Sequence, residues 1–156
     1  MNRPSFVYVT YIATTPEKLW TALTDGKFTQ EYWGGRRVES DWKPGSPVFF
    51  RTTNGAPDVV RAKVIEVDPP SRLVMSWTRE IAPQTPLPPA TRVIFTIDPA
   101  GPVNVKLTVV HEEFEPGSEV EDGLRNGWPA ILSSLKSLLE TGEALDISKR
   151  WAKAGN

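Results

Sequence analysis

Between Arg36 and His111 the sequence passes through six segments with β character, 36–42, 47–53, 59–67, 72–79, 91–97 and 103–111. They are separated by KPGS, TNGAPD, DPPSR, a proline-rich stretch and DPAGP. Connections this short leave no room for the crossover helix that a parallel pair requires, so consecutive segments are expected to pair antiparallel and in chain order. The longest spacer, Ile81 to Thr91, carries Pro83, Pro86, Pro88 and Pro89, which rules out a central strand there and predicts an extended connection. Three segments alternate cleanly. Leu73, Met75 and Trp77 share one face, as do Val93, Phe95 and Ile97, and as do Val103, Val105, Leu107, Val109 and His111.

Two further elements frame this meander. Upstream, Phe6 to Ala13 is aromatic and β-branched and reads as a strand. Thr14-Thr15-Pro16-Glu17 then supplies a threonine cap, a first-turn proline and an acid at the positive end of a helix carrying Leu19, Trp20 and Leu23. This helix is expected to stop at Asp25-Gly26, with a second short helix bearing Phe28, Tyr32 and Trp33 broken by Gly34-Gly35. Downstream, NGWPAILSSLKSLLETG predicts a helix opened by Asn126 or Gly127, with Pro129 in its first turn and Gly142 as a left-handed cap. Trp128, Ile131, Leu132, Leu135, Leu138 and Leu139 form its apolar stripe, with Ser133, Lys136, Ser137 and Glu140 facing away. Residues 143–156 read as a tail helix with Leu145, Ile147 and Trp151.

The stripe needs an apolar partner, and the inner face of the sheet is the continuous one available, which predicts an α+β fold and one domain over residues 1–156. One helix about 10–12 Å wide cannot tile seven strands spaced about 4.8 Å apart. The sheet therefore curls around the helix or leaves a gap, and an aromatic-walled gap with few polar groups is the form of a small-molecule pocket.

Composition narrows the chemistry. With no Cys and one His, thiolate metal sites, cysteine nucleophiles and multi-histidine zinc sites are excluded, so neither a metal nor a cofactor is expected. Eighteen Lys and Arg against 19 Asp and Glu give no electrostatic reason to expect nucleic acid. No secretory signal or apolar stretch of about 20 residues is present, so no membrane insertion is expected, and a cytoplasmic protein is the default expectation rather than a deduction. His111, beside Glu112 and Glu113, is the only side chain with an ordinary pKa near neutrality, so acid–base chemistry would fall to it, with Tyr11 or Tyr32 as partner. The six Trp are the more distinctive feature. Trp20, Trp42, Trp77 and Trp128 point inward by periodicity, and Trp33 lies near the expected mouth. The candidate ligand-binding set is Trp33, Trp42, Met75, Trp77, Phe95, His111, Trp128, Leu132 and Leu135; no catalytic residue is assigned unless the chain is an enzyme using His111.

The segments VYVTYIATTPEKLWTALTD (7–25), YWGG (32–35), VESDWKPGSPV (38–48), VIEVDPPSRLVMSW (64–77), TVVHEEF (108–114) and GWPAILSSLKSLLETG (127–142) resemble the heat-shock-protein-90 ATPase activator homologue family. That family lies within the START-like (SRPBCC), helix-grip superfamily. The resemblance implies a curved seven-stranded antiparallel sheet gripping the last long helix, with two short helices after the first strand and a cavity between sheet and helix. The match is to the carboxyl-terminal domain type of the eukaryotic co-chaperone, without its additional amino-terminal domain. The superfamily includes lipid carriers, secondary-metabolite binders, cyclases and a co-chaperone domain, so fold alone selects no function. Three readings stand: a binder of a small hydrophobic or aromatic molecule, lipid-like or polyphenol-like; a stress-response module that docks on a chaperone and alters its ATPase rate; and a cyclase, dehydratase or hydrolase using His111. A monomer or a homodimer is compatible with each.

Overall fold

A computed structural model describes residues 5–52, 60–79, 90–114 and 116–154. The proline-rich stretch through residue 89, the TNGAPD segment and the last two residues lie outside the described residues. The chain order is β1 (Phe6–Ile12), α1 (Pro16–Thr24), α2 (Gly26–Tyr32), β2 (Arg36–Glu39), β3 (Pro47–Thr52), β4 (Val60–Asp68), β5 (Arg72–Arg79), β6 (Thr91–Pro99), β7 (Val105–Glu112), α3 (Glu119–Thr141) and α4 (Asp146–Ala154). All seven strands form one antiparallel sheet in the order β1-β7-β6-β5-β4-β3-β2. The meander thus pairs as short connections demand, and β1 closes it on the far side of β7. The sheet curls around α3, giving the α+β helix-grip architecture.

Local chemistry sets the element ends. Thr15 caps α1, its hydroxyl accepting from the Lys18 amide at 3.3 Å, and Pro16 fills the first turn. Asp25 ends α1 and caps α2, accepting from the Lys27 amide at 2.9 Å. Gly26 is required by proximity: a Cβ there would stand 2.9 Å from the carbonyl oxygen of Val38. Gly142 closes α3 at φ 88°, its amide donating to the Leu138 carbonyl at 2.9 Å.

Three expectations are corrected. The helix α3 starts seven residues before Asn126, at Glu119, so Pro129 lies inside it and neither Asn126 nor Gly127 opens it. The Ser118 hydroxyl accepts from the Glu121 amide at 3.2 Å, and the Glu121 carboxylate accepts from the Gly117 amide at 2.7 Å, a reciprocal cap close to a capping box. Second, β2 ends at Glu39, and Trp42 sits beyond it at φ 55°, half-buried at the core's margin, so strand alternation does not aim it inward. Third, β7 begins at Val105, leaving Val103 exposed. Lys136 and Glu140 face away from the stripe, as expected, and bond to the end of β1. The Lys136 ammonium donates to the Tyr11 carbonyl and to Glu140, both at 2.6 Å, and Glu140 accepts from the Ala13 amide at 2.8 Å. Together they tie the last turns of α3 to the end of β1.

A bulge in β4 accounts for its unclear alternation. Val64 pairs with Met75 and Glu66 with Val74, so Ile65 is extra and the inward side passes from Ala62 and Val64 to Val67.

The tail helix is fixed by one buried hydroxyl. Ser148 accepts from the Gly34 amide at 3.0 Å and donates to the Glu31 carbonyl at 2.8 Å, which docks α4 on the segment that carries Trp33. Ser148→Ala orphans both backbone groups and is expected to lower unfolding free energy by about 1–3 kcal/mol. Urea denaturation is the check; an unchanged midpoint would show that α4 is not docked in solution.

Candidate functional site

One end of the sheet collects the aromatic side chains. Alternation along β5 puts Trp77 on the inner face at the far end of the Leu73, Met75, Trp77 row, opposite Thr91 at the start of β6. Val93, next on that face, stands opposite His111 at the end of β7. Phe50 comes from β3, Trp33 from the residue that caps the C-terminus of α2, and Trp128 from α3. Their rings meet. Trp33 and Trp77 lie nearly parallel, 16° apart with centroids at 6.0 Å, and Trp128 is 5.5 Å from Trp33 and 5.6 Å from Trp77. Phe50 stands 5.1 Å from Trp77 and 5.2 Å from Trp33, while Phe95 closes on Trp128 at 5.9 Å from below. These edge-on and offset separations are those at which aromatic pairs attract. Trp33 and Trp77 keep 7% and 8% of their surface exposed, against 3% for Trp128, so the solvent side of the cluster is theirs.

A chain of hydrogen bonds runs through this apolar wall. Trp128 Nε1 donates to His111 Nδ1 at 3.0 Å, and His111 Nε2 lies 2.6 Å from Thr91 Oγ1, which bonds to the Trp77 carbonyl at 2.9 Å. The chemistry of the donors fixes every proton. An indole nitrogen only donates, so Nδ1 is the unprotonated nitrogen and Nε2 carries the proton. Thr91 accepts that proton's bond and spends its own hydroxyl hydrogen on the Trp77 carbonyl. His111 is therefore a neutral imidazole with both nitrogens engaged, 2% exposed and ringed by Trp77, Trp128 and Phe114.

Burial disfavours the imidazolium and lowers the His111 pKa from 6.5 to about 4. Between those values the unfolded chain binds a proton that the folded chain does not, so stability rises with pH there. The contribution is complete above about pH 6.5 and declines as pH falls to about 4. Two and a half units at about 1.4 kcal/mol each correspond to roughly 3 kcal/mol. Urea midpoints at pH 7, 5.5 and 4.5 should fall along this curve, and with one histidine in the chain no other imidazole contributes. A flat profile from pH 7 to 5 would mean that His111 titrates as it does in water.

Of the nine residues in the expected binding set, eight belong to the buried core: Trp33, Met75, Trp77, Phe95, His111, Trp128, Leu132 and Leu135. Trp42 is only half-buried and packs against the core from its margin. Trp20 is likewise only half-buried. The tyrosines offered as partners of His111 stand elsewhere. Tyr11 is 56% exposed at the end of β1, where it pairs with Lys106, whereas Phe6 is the residue opposite His111. Tyr32 is buried with its hydroxyl donating to the Ala22 carbonyl at 2.9 Å, and burial raises its pKa far beyond its ordinary value. Three participants went unnoticed in the sequence. Phe50 and Thr91 follow from alternation once β3 is set between β2 and β4 and β6 between β5 and β7; Phe114, buried after the left-handed Glu113 at φ 67°, has no periodic signal. Among the described residues no three His, Asp or Glu side chains stand close enough to hold a metal ion.

The same architecture recurs in solved structures. The protein MLL2253 from Mesorhizobium loti superposes with TM-score 0.72 at 24% identity, over 87% of this chain and 96% of that one. The Aha1 dimer from Colwellia psychrerythraea gives 0.70 at 22% identity, over 90% and 99%. PFC0360w, an HSP90 activator from Plasmodium falciparum, gives 0.71 at 20% identity, over 86% and 95%. At these identities the likeness establishes the fold. No curated protein sequence matches the chain. The sequence profile described as "Activator of Hsp90 ATPase homolog 1-like protein" matches residues 13–140, from the residue after β1 to the last turn of α3, and so spans six of the seven strands and the helix they grip. The chain belongs to the activator of Hsp90 ATPase homolog 1-like family.

Proposed function

We propose that the protein binds a small, uncharged hydrophobic or aromatic molecule between the sheet and α3, against Trp33, Trp77 and Trp128. The observation that carries this is the convergence, at one end of the sheet, of three indoles from the end of α2, from β5 and from α3, two of which, Trp77 and Trp128, flank a neutral His111. Large ring faces with a few placed polar atoms suit flat apolar ligands. In the structure the rings touch, so a ligand enters by moving one of them. Trp33 is the one to move: it belongs to neither the sheet nor α3, and Gly34 and Gly35, at φ 60° and 80°, follow it directly. Acid–base catalysis has weaker support, because both nitrogens of His111 are committed within the fold.

Titration of tryptophan fluorescence with lipids, sterols and polyphenols, with native mass spectrometry of the purified protein, tests the binding reading. Saturable quenching or a retained small-molecule mass supports it; absence of both overturns it. A second reading rests on family membership and on the likeness to the Plasmodium activator: the domain docks on an Hsp90-type chaperone and alters its ATPase rate. An ATPase assay with the chaperone from the same cell decides that point, and an unchanged rate at saturating protein removes it. The likeness to the Colwellia dimer makes self-association worth measuring in the same samples by light scattering.

A further inference from the structure

We infer that the bond from Trp128 Nε1 to His111 Nδ1 is a selectivity element, which a ligand opens by inserting a hydroxyl group, so that the preferred ligand class is the neutral phenols. This deepens the binding reading above and rests on it. The 3.0 Å bond joins a donor that cannot accept to a nitrogen that cannot donate, and it joins two separate elements, α3 and β7. Any group placed between them has to accept from the indole and donate to the imidazole. A hydroxyl does both through one oxygen and leaves no buried polar atom unpaired. An ether or ketone oxygen accepts from Trp128 but leaves Nδ1 without a donor. A carboxylate also lacks the donor, and it brings a charge among rings that offer it no counter-ion.

The imidazole is not free to adapt by exchanging its protonated nitrogen. Nε2 has to donate to Thr91, whose own proton is held by the Trp77 carbonyl at 2.9 Å, so the bonds on the far side keep Nδ1 as the acceptor. The helix has a local means of giving way at this position. Pro129, directly after Trp128, has no amide hydrogen, so the Arg125 carbonyl lacks its i→i−4 intrahelical donor and α3 has one fewer backbone bond to break there. The aromatic part of the ligand would lie against Trp33 and Trp77, the least buried of the rings.

The test compares 1-naphthol, 1-methoxynaphthalene and 1-naphthoate on the wild-type protein by fluorescence titration and calorimetry at pH 7. Naphthol is expected to bind about 10-fold or more tightly than the methoxy compound, against the order of their hydrophobicity, and the naphthoate least. Because His111 is the only histidine, its ring nitrogens give a single pair of 15N signals, and the Nδ1 signal should shift with naphthol and remain near its free position with the ether. Equal affinities for naphthol and the ether, or an Nδ1 signal unmoved by bound naphthol, overturn the inference and leave the binding reading standing. Binding of none of the three overturns the inference, and the broader panel of lipids and sterols then decides the binding reading separately. No substituted protein is needed, so misfolding does not enter the result.

Discussion

Trp128→Ala is expected to lower the unfolding free energy by about 3–5 kcal/mol, the range for removing a large buried aromatic side chain. Two effects of different origin combine. The ring is 3% exposed and packs against Trp33, Trp77, Phe95 and His111, so its loss leaves a void lined by four rings from the end of α2 and from β5, β6 and β7. Its N–H is the donor to His111 Nδ1, so truncation also orphans a buried acceptor. Trp128→Phe separates them: it restores most of the volume but not the donor, and should cost about 1–3 kcal/mol. The phenylalanine variant should also release the histidine, raising its pKa, because an unpaired buried nitrogen is easier to protonate or hydrate. Urea denaturation at pH 7 with an imidazole titration by NMR reads both quantities. If the alanine variant unfolds within about 1 kcal/mol of the wild type, α3 does not hold Trp128 in the cluster.

Leu135→Ala, two turns further along the same face of α3, is expected to cost about 2–5 kcal/mol. Leu135 is fully buried and belongs to the central core, whereas Leu139, one turn on, is only half-buried. Leu139→Ala should therefore cost clearly less. The contrast matters more than either value, since it reports which arc of the helix faces the sheet. Equal losses at the two positions would mean that α3 is rotated about its axis relative to the sheet, and an unchanged midpoint for Leu135→Ala that the helix is not gripped.

The architecture was legible because its two principal signals are repetitive. Short turns between alternating segments dictate an antiparallel meander, and the stripe from Trp128 to Leu139 dictates a covering helix. Where periodicity is interrupted, the reading of the sequence failed for physical reasons. Proline is at home in the first turn of a helix, and that preference drew the start of α3 to Pro129; the true start was written in Ser118 and Glu121, a capping pair three residues apart. The left-handed turn at Trp42 removed it from the face that alternation assigned, since one residue at positive φ resets the count. Ile65, inserted as a bulge, did the same within β4. The site shows the same division. Trp77, Phe95 and His111 fall on the inner face of regular strands and were placed from sequence, but the identity of the His111 partners was not. Thr91 and Trp128 are 20 and 17 residues from His111 in the chain, and only strand register and helix rotation bring them to its two nitrogens. A sole histidine next to two glutamates suggests a proton-transfer group; its enclosure by rings makes it a fixed, neutral link.

The close approach of Trp33, Trp77 and Trp128 also governs how the protein handles ultraviolet light. With centroids 5.5 to 6.0 Å apart, the three indoles are close enough that they should exchange excitation before emitting, and their strong transitions should couple into a paired positive and negative circular dichroism band. Excitation absorbed by any of the three can be extinguished at one, so a quencher that reaches only Trp33 dims the whole group. The dichroic pair depends on the mutual angles of the rings, and it should collapse when Trp33 swings aside even if the backbone stays folded. The protein therefore carries a built-in optical gauge of whether its aromatic cluster is open or shut, readable without any label.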